Sequence, residues 1–99
     1  MSTFRGKRVE LSSEVLFQDI EGEAVLLDLA SGQYFGLNEV GTRFWQHARE
    51  LDDVDAIVAR LLEEFEVEES VLEDDLEGFI GEMSEAGLLT LTDPTGDRD

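Results

Sequence analysis

Between Val15 and Asn38 short apolar runs alternate with turn formers: VLFQDI, EGE, AVLLDL, ASG and QYFGL, closing on Asn38. The pattern predicts three strands, Val15–Ile20, Ala24–Leu29 and Gln33–Leu37. Glu21-Gly22-Glu23 and Ala30-Ser31-Gly32 are the turns, with Gly22 free to take positive φ. Connections this short favour an antiparallel meander. In the second strand Val25, Leu27 and Leu29 point one way and Ala24, Leu26 and Asp28 the other, and the first set is the better core face. In the third strand Phe35 and Leu37 share a face, with Tyr34 and Gly36 opposite.

From Asn38 the period changes from two to 3.6. Asn38 is an N-cap, and Glu39 suits the dipole of the first turn. The first helix runs to about Glu50, with Val40, Phe44, His47 or Ala48, and Leu51 on one face and Trp45 beside them. Gly41, in its first turn, is expected to allow close packing against the sheet. Asp52 or Asp53 caps a second helix with the stripe Val54, Ile57, Val58, Leu61, Leu62 and Phe65. Ser70 and Glu73 fit a capping box for a third, whose stripe is Leu72, Leu76, Phe79 or Ile80, and Met83, and which ends at Gly87. Leu88–Leu91 adds a short final strand. The expected organisation is a loose arm over 1–12 with a short strand near Val9, a domain over 13–91 and a disordered tail over 92–99. The fold class is α+β, winged helix-turn-helix-like: a three-stranded antiparallel sheet followed by three helices.

Charge narrows the partners. Asp and Glu number 25 against seven Lys and Arg, a net charge of −18. Such a chain repels nucleic acid phosphates and anionic membranes. A winged helix that reads DNA needs a basic recognition helix, yet no Lys or Arg stands between Glu66 and Leu91. There is no cysteine, which removes disulfides, thiolate catalysis and cysteine-ligated metal sites. Neither a signal peptide nor an apolar run of membrane-spanning length is present, so a cytoplasmic protein is expected.

Catalysis finds no residue set. Asp74, Asp75 and Glu77, and likewise Glu63, Glu64 and Glu66, stand on polar helix faces rather than in a pocket that would shift their pKa values. His47 is the only histidine, so no serine has a second candidate base. No calcium loop or glycine-rich phosphate loop appears, and the expectation is no catalytic residue, no metal and no cofactor. What remains is apolar surface. Tyr34, Phe35, Leu37, Leu76, Phe79, Ile80 and Met83 exceed what one sheet face needs. They suggest a groove between the third strand and the third helix, where an extended peptide adds to the open edge.

The segment AVLLDLASGQYFGLNEVGTRFW, a helix ending LLEEFEV and the stretch DDLEGFIGEMSEAGLL resemble the pyrroloquinoline quinone biosynthesis protein D (PqqD) family, over roughly residues 15–91. SGQYFGLNEVG is the most specific part. The resemblance implies a winged-helix-like recognition element for ribosomally made, post-translationally modified peptides. Such an element binds the leader of a precursor as an added strand against the third strand and third helix. It then presents the precursor to a radical-SAM enzyme in quinone-cofactor pathways, or to a leader-removing cysteine protease in lasso peptide pathways. Carried over, the groove falls on Gln33, Tyr34, Phe35, Gly36 and Leu37 with Leu72, Asp75, Leu76, Phe79, Ile80 and Met83. With no fused domain, the chain is expected to act in trans. The rival readings are a homodimer pairing its own open edges and a winged-helix regulator.

Overall fold

The computed structural model describes residues 4–21 and 23–93. Its order is β1 (Arg8–Leu11), β2 (Val15–Ile20), β3 (Glu23–Asp28), β4 (Gln33–Leu37), α1 (Glu39–Ala48), α2 (Val54–Glu64), α3 (Glu69–Glu85) and β5 (Leu89–Thr92). The meander and the three helices match the sequence pattern. β2, β3 and β4 form one antiparallel sheet in that spatial order, and β1 and β5 form a second, separate ladder. Among the described residues no helix is long and apolar enough to cross a membrane.

The inward face of the larger sheet is the opposite of the one expected. Ala24 and Leu26 are buried, whereas Leu29 is 53% exposed. The register explains this: Leu26 sits between Phe17 and Phe35, and Ala24 faces Leu37. Residues paired across a ladder project to the same side, so the two phenylalanines take Leu26 with them into the core. Leu16, Ile20 and Tyr34 are left exposed on the outer face. The β2–β3 turn holds Glu21 at a φ of 53°, and the expected role of Gly22 lies outside the described residues.

The segment expected to be a loose arm is packed from Phe4 onward. Phe4 is 0% exposed and Val9 is buried in the same cluster. β1 pairs with β5 in the register Val9↔Leu91 and Leu11↔Leu89. The amide of Val9 donates to Asp52 O (2.9 Å) and that of Val54 donates to Lys7 O (3.1 Å), which ties the arm to the start of α2. Of the expected tail, Thr92 belongs to β5, Asp93 accepts from Lys7 (2.7 Å), and 94–99 lie outside the described residues.

The helix ends follow side-chain chemistry with one exception. Asp53 caps α2 by accepting from the Asp55 amide at 3.0 Å. α3 begins at Glu69 with Glu68 as N-cap and no side-chain cap bond, so the expected Ser70–Glu73 box does not form. Glu73 is instead drawn to Arg5. α3 ends with Gly87 at φ 81°, the Leu88 amide donating to Met83 O and the Gly87 amide to Ser84 O. That bond pair is the Schellman arrangement, which requires a left-handed residue at this place. Leu72, Leu76, Ile80 and Met83 of α3 pack with Val54, Ile57, Val58 and Leu61 of α2 and Phe44 and Trp45 of α1 to form the core.

Candidate functional site

β4 hydrogen-bonds to β3 on one side only, and its other edge carries no strand among the described residues. The turn before it fixes its entry. The Asp28 carboxylate accepts from the Ala30 amide (3.1 Å) and the Ser31 hydroxyl (2.9 Å), and Gly32 turns the chain at φ 77°. Alternation then sets the side chains: Phe35 and Leu37 are half-buried against the core, while Tyr34, 67% exposed, and Gly36 face away; Gln33, at the start of the strand, is exposed as well. Beyond Leu37 the Asn38 side chain accepts from the Gly41 amide (2.7 Å) and starts α1. A recess of about 300 Å³ opens at this junction, lined by Leu37, Asn38, Glu39, Thr42 and Arg43.

Gly41 is the close-packing point expected from the sequence, but its neighbour is α3 rather than the sheet. A Cβ there would lie 2.9 Å from Cε1 of Phe79. Phe79 also meets Phe44 edge-on, with ring centroids 5.8 Å apart. The glycine therefore lets the ring of Phe79 reach the start of α1, directly after the open strand.

The candidate residues on α3 divide into two groups. Leu72, Leu76, Ile80 and Met83 are at most 2% exposed and belong to the core. Their spacing of four, four and three residues makes one stripe, and that stripe faces α1 and α2. Asp75 is exposed and Phe79 half-buried. Successive helix residues turn by about 100°, which puts Asp75 and Phe79 on one flank of that stripe and Glu73 on the other. The accessible part of the candidate set is therefore Gln33 to Leu37 on β4 with Asp75 and Phe79 on α3.

The far flank holds a feature the sequence reading missed. Arg5 donates to Asp55 (2.6 Å), Glu69 (3.0 Å) and Glu73, joining the N-terminal segment to α2 and α3. The hydrogen bond from Arg5 holds the Asp55 carboxyl below its ordinary pKa, and Asp55 in turn raises that of Arg5. A second missed group joins α1 and α2. Arg43 donates to both oxygens of Glu64 (3.0 and 2.9 Å), and His47 Nε2 stands 2.8 Å from the same carboxylate. These bonds, Arg43 first, pull the Glu64 pKa down to about 2. No sequence signal short of the three-dimensional pairing marks either cluster. The second cluster thus engages the buried His47 with Glu64. Among the described residues no group of three or more His, Asp and Glu is placed to hold a metal.

An open-edged sheet of three strands followed by three helices, with an acidic third helix, defines an α+β, winged-helix-like domain. The family model described as "Coenzyme PQQ synthesis protein D (PqqD)" matches residues 23–89, more than half of the chain. The chain belongs to the PqqD family. Two solved structures share its fold. TbiB1 in complex with the TbiA(beta) leader peptide is 35% identical, with a TM-score of 0.72, over 81% of this chain and 93% of that one. A lasso peptide synthetase B1 complexed with the leader peptide is 25% identical, also with a TM-score of 0.72, over 84% and 98%. No curated protein sequence matches.

Proposed function

We propose that this protein is a non-catalytic recognition element. It captures the leader of a ribosomally made precursor peptide as an added strand on β4 and presents the precursor to a maturation enzyme. The observation that carries the reading is the β4 edge, which pairs with no strand among the described residues and leads into the start of α1 where Phe79 packs, in a chain similar to two solved complexes with leader peptides. An added strand gains main-chain hydrogen bonds from β4, while Tyr34, Leu37, Asp75 and Phe79 supply selectivity. Of the two pathway types, the lasso type with its leader-removing cysteine protease is favoured over the quinone type with its radical-SAM enzyme, because one neighbour is a lasso peptide synthetase B1. The four buried residues Leu72, Leu76, Ile80 and Met83 act from behind, holding the helix at its distance from the strand.

The test is an amide NMR titration of labelled protein with the leader peptides encoded beside its gene. Saturable shifts at 33–37 and around Asp75 and Phe79 are expected. A folded protein that shifts with none of these leaders, or shifts only at positions remote from β4, overturns the reading.

A further inference from the structure

Among the described residues the larger sheet has a second free edge, β2, on the side away from β4. Beside it lies a cleft of about 320 Å³, between the β1–β2 connection, β2 and the end of α1. Trp45, Phe17, Val15 and Leu11 supply apolar walls, and Ser12 and Arg49 supply polar groups. A volume of this order suits one large residue or a small organic group.

Arg49 gives the cleft its chemistry. In a chain with 25 acidic side chains, Arg5, Lys7, Arg8 and Arg43 each hold a carboxylate. Among the described residues Arg49 holds none. Its guanidinium lies 5.7 Å from the centre of the Phe17 ring, at the cleft. Stacking on a ring leaves the edge of a guanidinium, with its N–H donors, available to a carboxylate. The Ser12 oxygen accepts from the Glu14 amide (3.1 Å), so its own O–H remains available to donate.

We propose that this cleft binds the C-terminal residue of a peptide partner. The terminal carboxylate pairs with Arg49 and the Ser12 hydroxyl, and the apolar side chain rests on Trp45 and Phe17. The preceding residue lies along the free edge of β2. A chain terminus carries carboxylate and side chain on one Cα, so a single residue reaches both halves of the cleft. An internal Asp or Glu brings the charge without the apolar group. The site is separate from β4, and it stands or falls independently of leader capture.

Trp45 is the only tryptophan and reports on the cleft directly. The full chain is titrated with N-acetyl-phenylalanyl-leucine, as the free acid and as the C-terminal amide, following Trp45 emission. The free acid is expected to give a saturable change in the low millimolar range, with the amide about tenfold weaker, the scale of a charge-assisted hydrogen bond. Arg49→Gln is expected to bring the acid to the level of the amide, and Arg49→Lys to keep part of the preference. Arg49 is exposed, so neither variant removes core packing. Equal binding of acid and amide, no saturable change with either, or an acid preference that survives Arg49→Gln overturns the proposal.

Discussion

Replacing Gly41 by Ala tests whether the start of α1 and the ring of Phe79 are packed as described. In an ordinary helix position the change stabilises, by up to about 1 kcal/mol, because alanine loses less backbone entropy. Here the new methyl would stand 2.9 and 3.1 Å from Cε1 and Cδ1 of Phe79 and 3.2 Å from Oδ1 of Asn38. The first two distances require the ring to move, and the third crowds the cap that holds the Gly41 amide. Overpacking of this kind costs about 1–3 kcal/mol. Setting the full propensity gain against the steric cost leaves a net destabilisation of up to about 2 kcal/mol. Gly81, exposed on α3 with nothing within 4 Å of its ideal Cβ, is the control, since it has the propensity gain and no clash. Gly81→Ala is expected to stabilise by about 0.5–1 kcal/mol. Urea unfolding followed by Trp45 emission measures both. If Gly41→Ala gains as much as Gly81→Ala, Phe79 does not fill that space.

Three further outcomes are expected. Phe79→Ala removes a half-buried ring and is expected to weaken leader binding by about tenfold or more, the scale of a binding hot spot, in an isothermal titration; unchanged affinity in the folded variant would remove Phe79 from the site. Glu64 has its carboxyl lowered from an ordinary 4.5 to about 2 by Arg43 and His47. Its pairing therefore contributes stability above about pH 4.5 that is lost as pH falls toward 2. Glu64→Gln is expected to lose about 1 kcal/mol at neutral pH and to flatten that acid limb of urea midpoints, and a variant with an unchanged limb would refute the pairing. With a net charge of −18, the folded chain repels itself, so its melting temperature is expected to rise from 20 mM to 500 mM sodium chloride as screening sets in. A fall would mean that the Arg5 and Arg43 ion pairs outweigh that repulsion.

Local signals in the sequence were enough for element order. Asn38 and Asp53 cap their helices, and Gly87 closes α3. What the chain hides is which side of each element the fold uses. Val25, Leu27 and Leu29 form the richer apolar set in β3, but the cross-strand partners Phe17 and Phe35 choose Leu26. The same limit applies to the third helix. Its heptad-like stripe reads as groove or core with equal ease, and only the position of α1 and α2 assigns Leu72, Leu76, Ile80 and Met83 to the core. Arg5 shows the converse. A basic residue near a terminus reads as part of a solvated arm, yet the burial of Phe4 brings it within reach of three carboxylates from two helices. Long-range pairs of this kind leave no period in the sequence.

The division of α3 bears on how such a module would discriminate among peptides. Four of its apolar side chains are committed to the core, and a peptide cannot reach them without displacing the α1–α2 packing. On the groove side that leaves the half-buried ring of Phe79 and the exposed carboxylate of Asp75. On the strand side Gly36 offers no side chain, Phe35 turns inward, Tyr34 projects away from the core, and Gln33 is exposed at the start of the strand. With so few side chains available, most of the affinity of an added strand would come from main-chain hydrogen bonds along β4, which are blind to sequence. Selectivity then rests on one apolar anchor against Phe79 and on charge. No Lys or Arg occurs on α3, so a leader with a basic residue beside that anchor gains from Asp75 and an acidic one is repelled. Asp75→Lys should reverse that order: a leader with its anchor-flanking charge switched from basic to acidic would bind the variant more tightly than the parent chain. An order unaffected by the substitution would place the peptide away from α3.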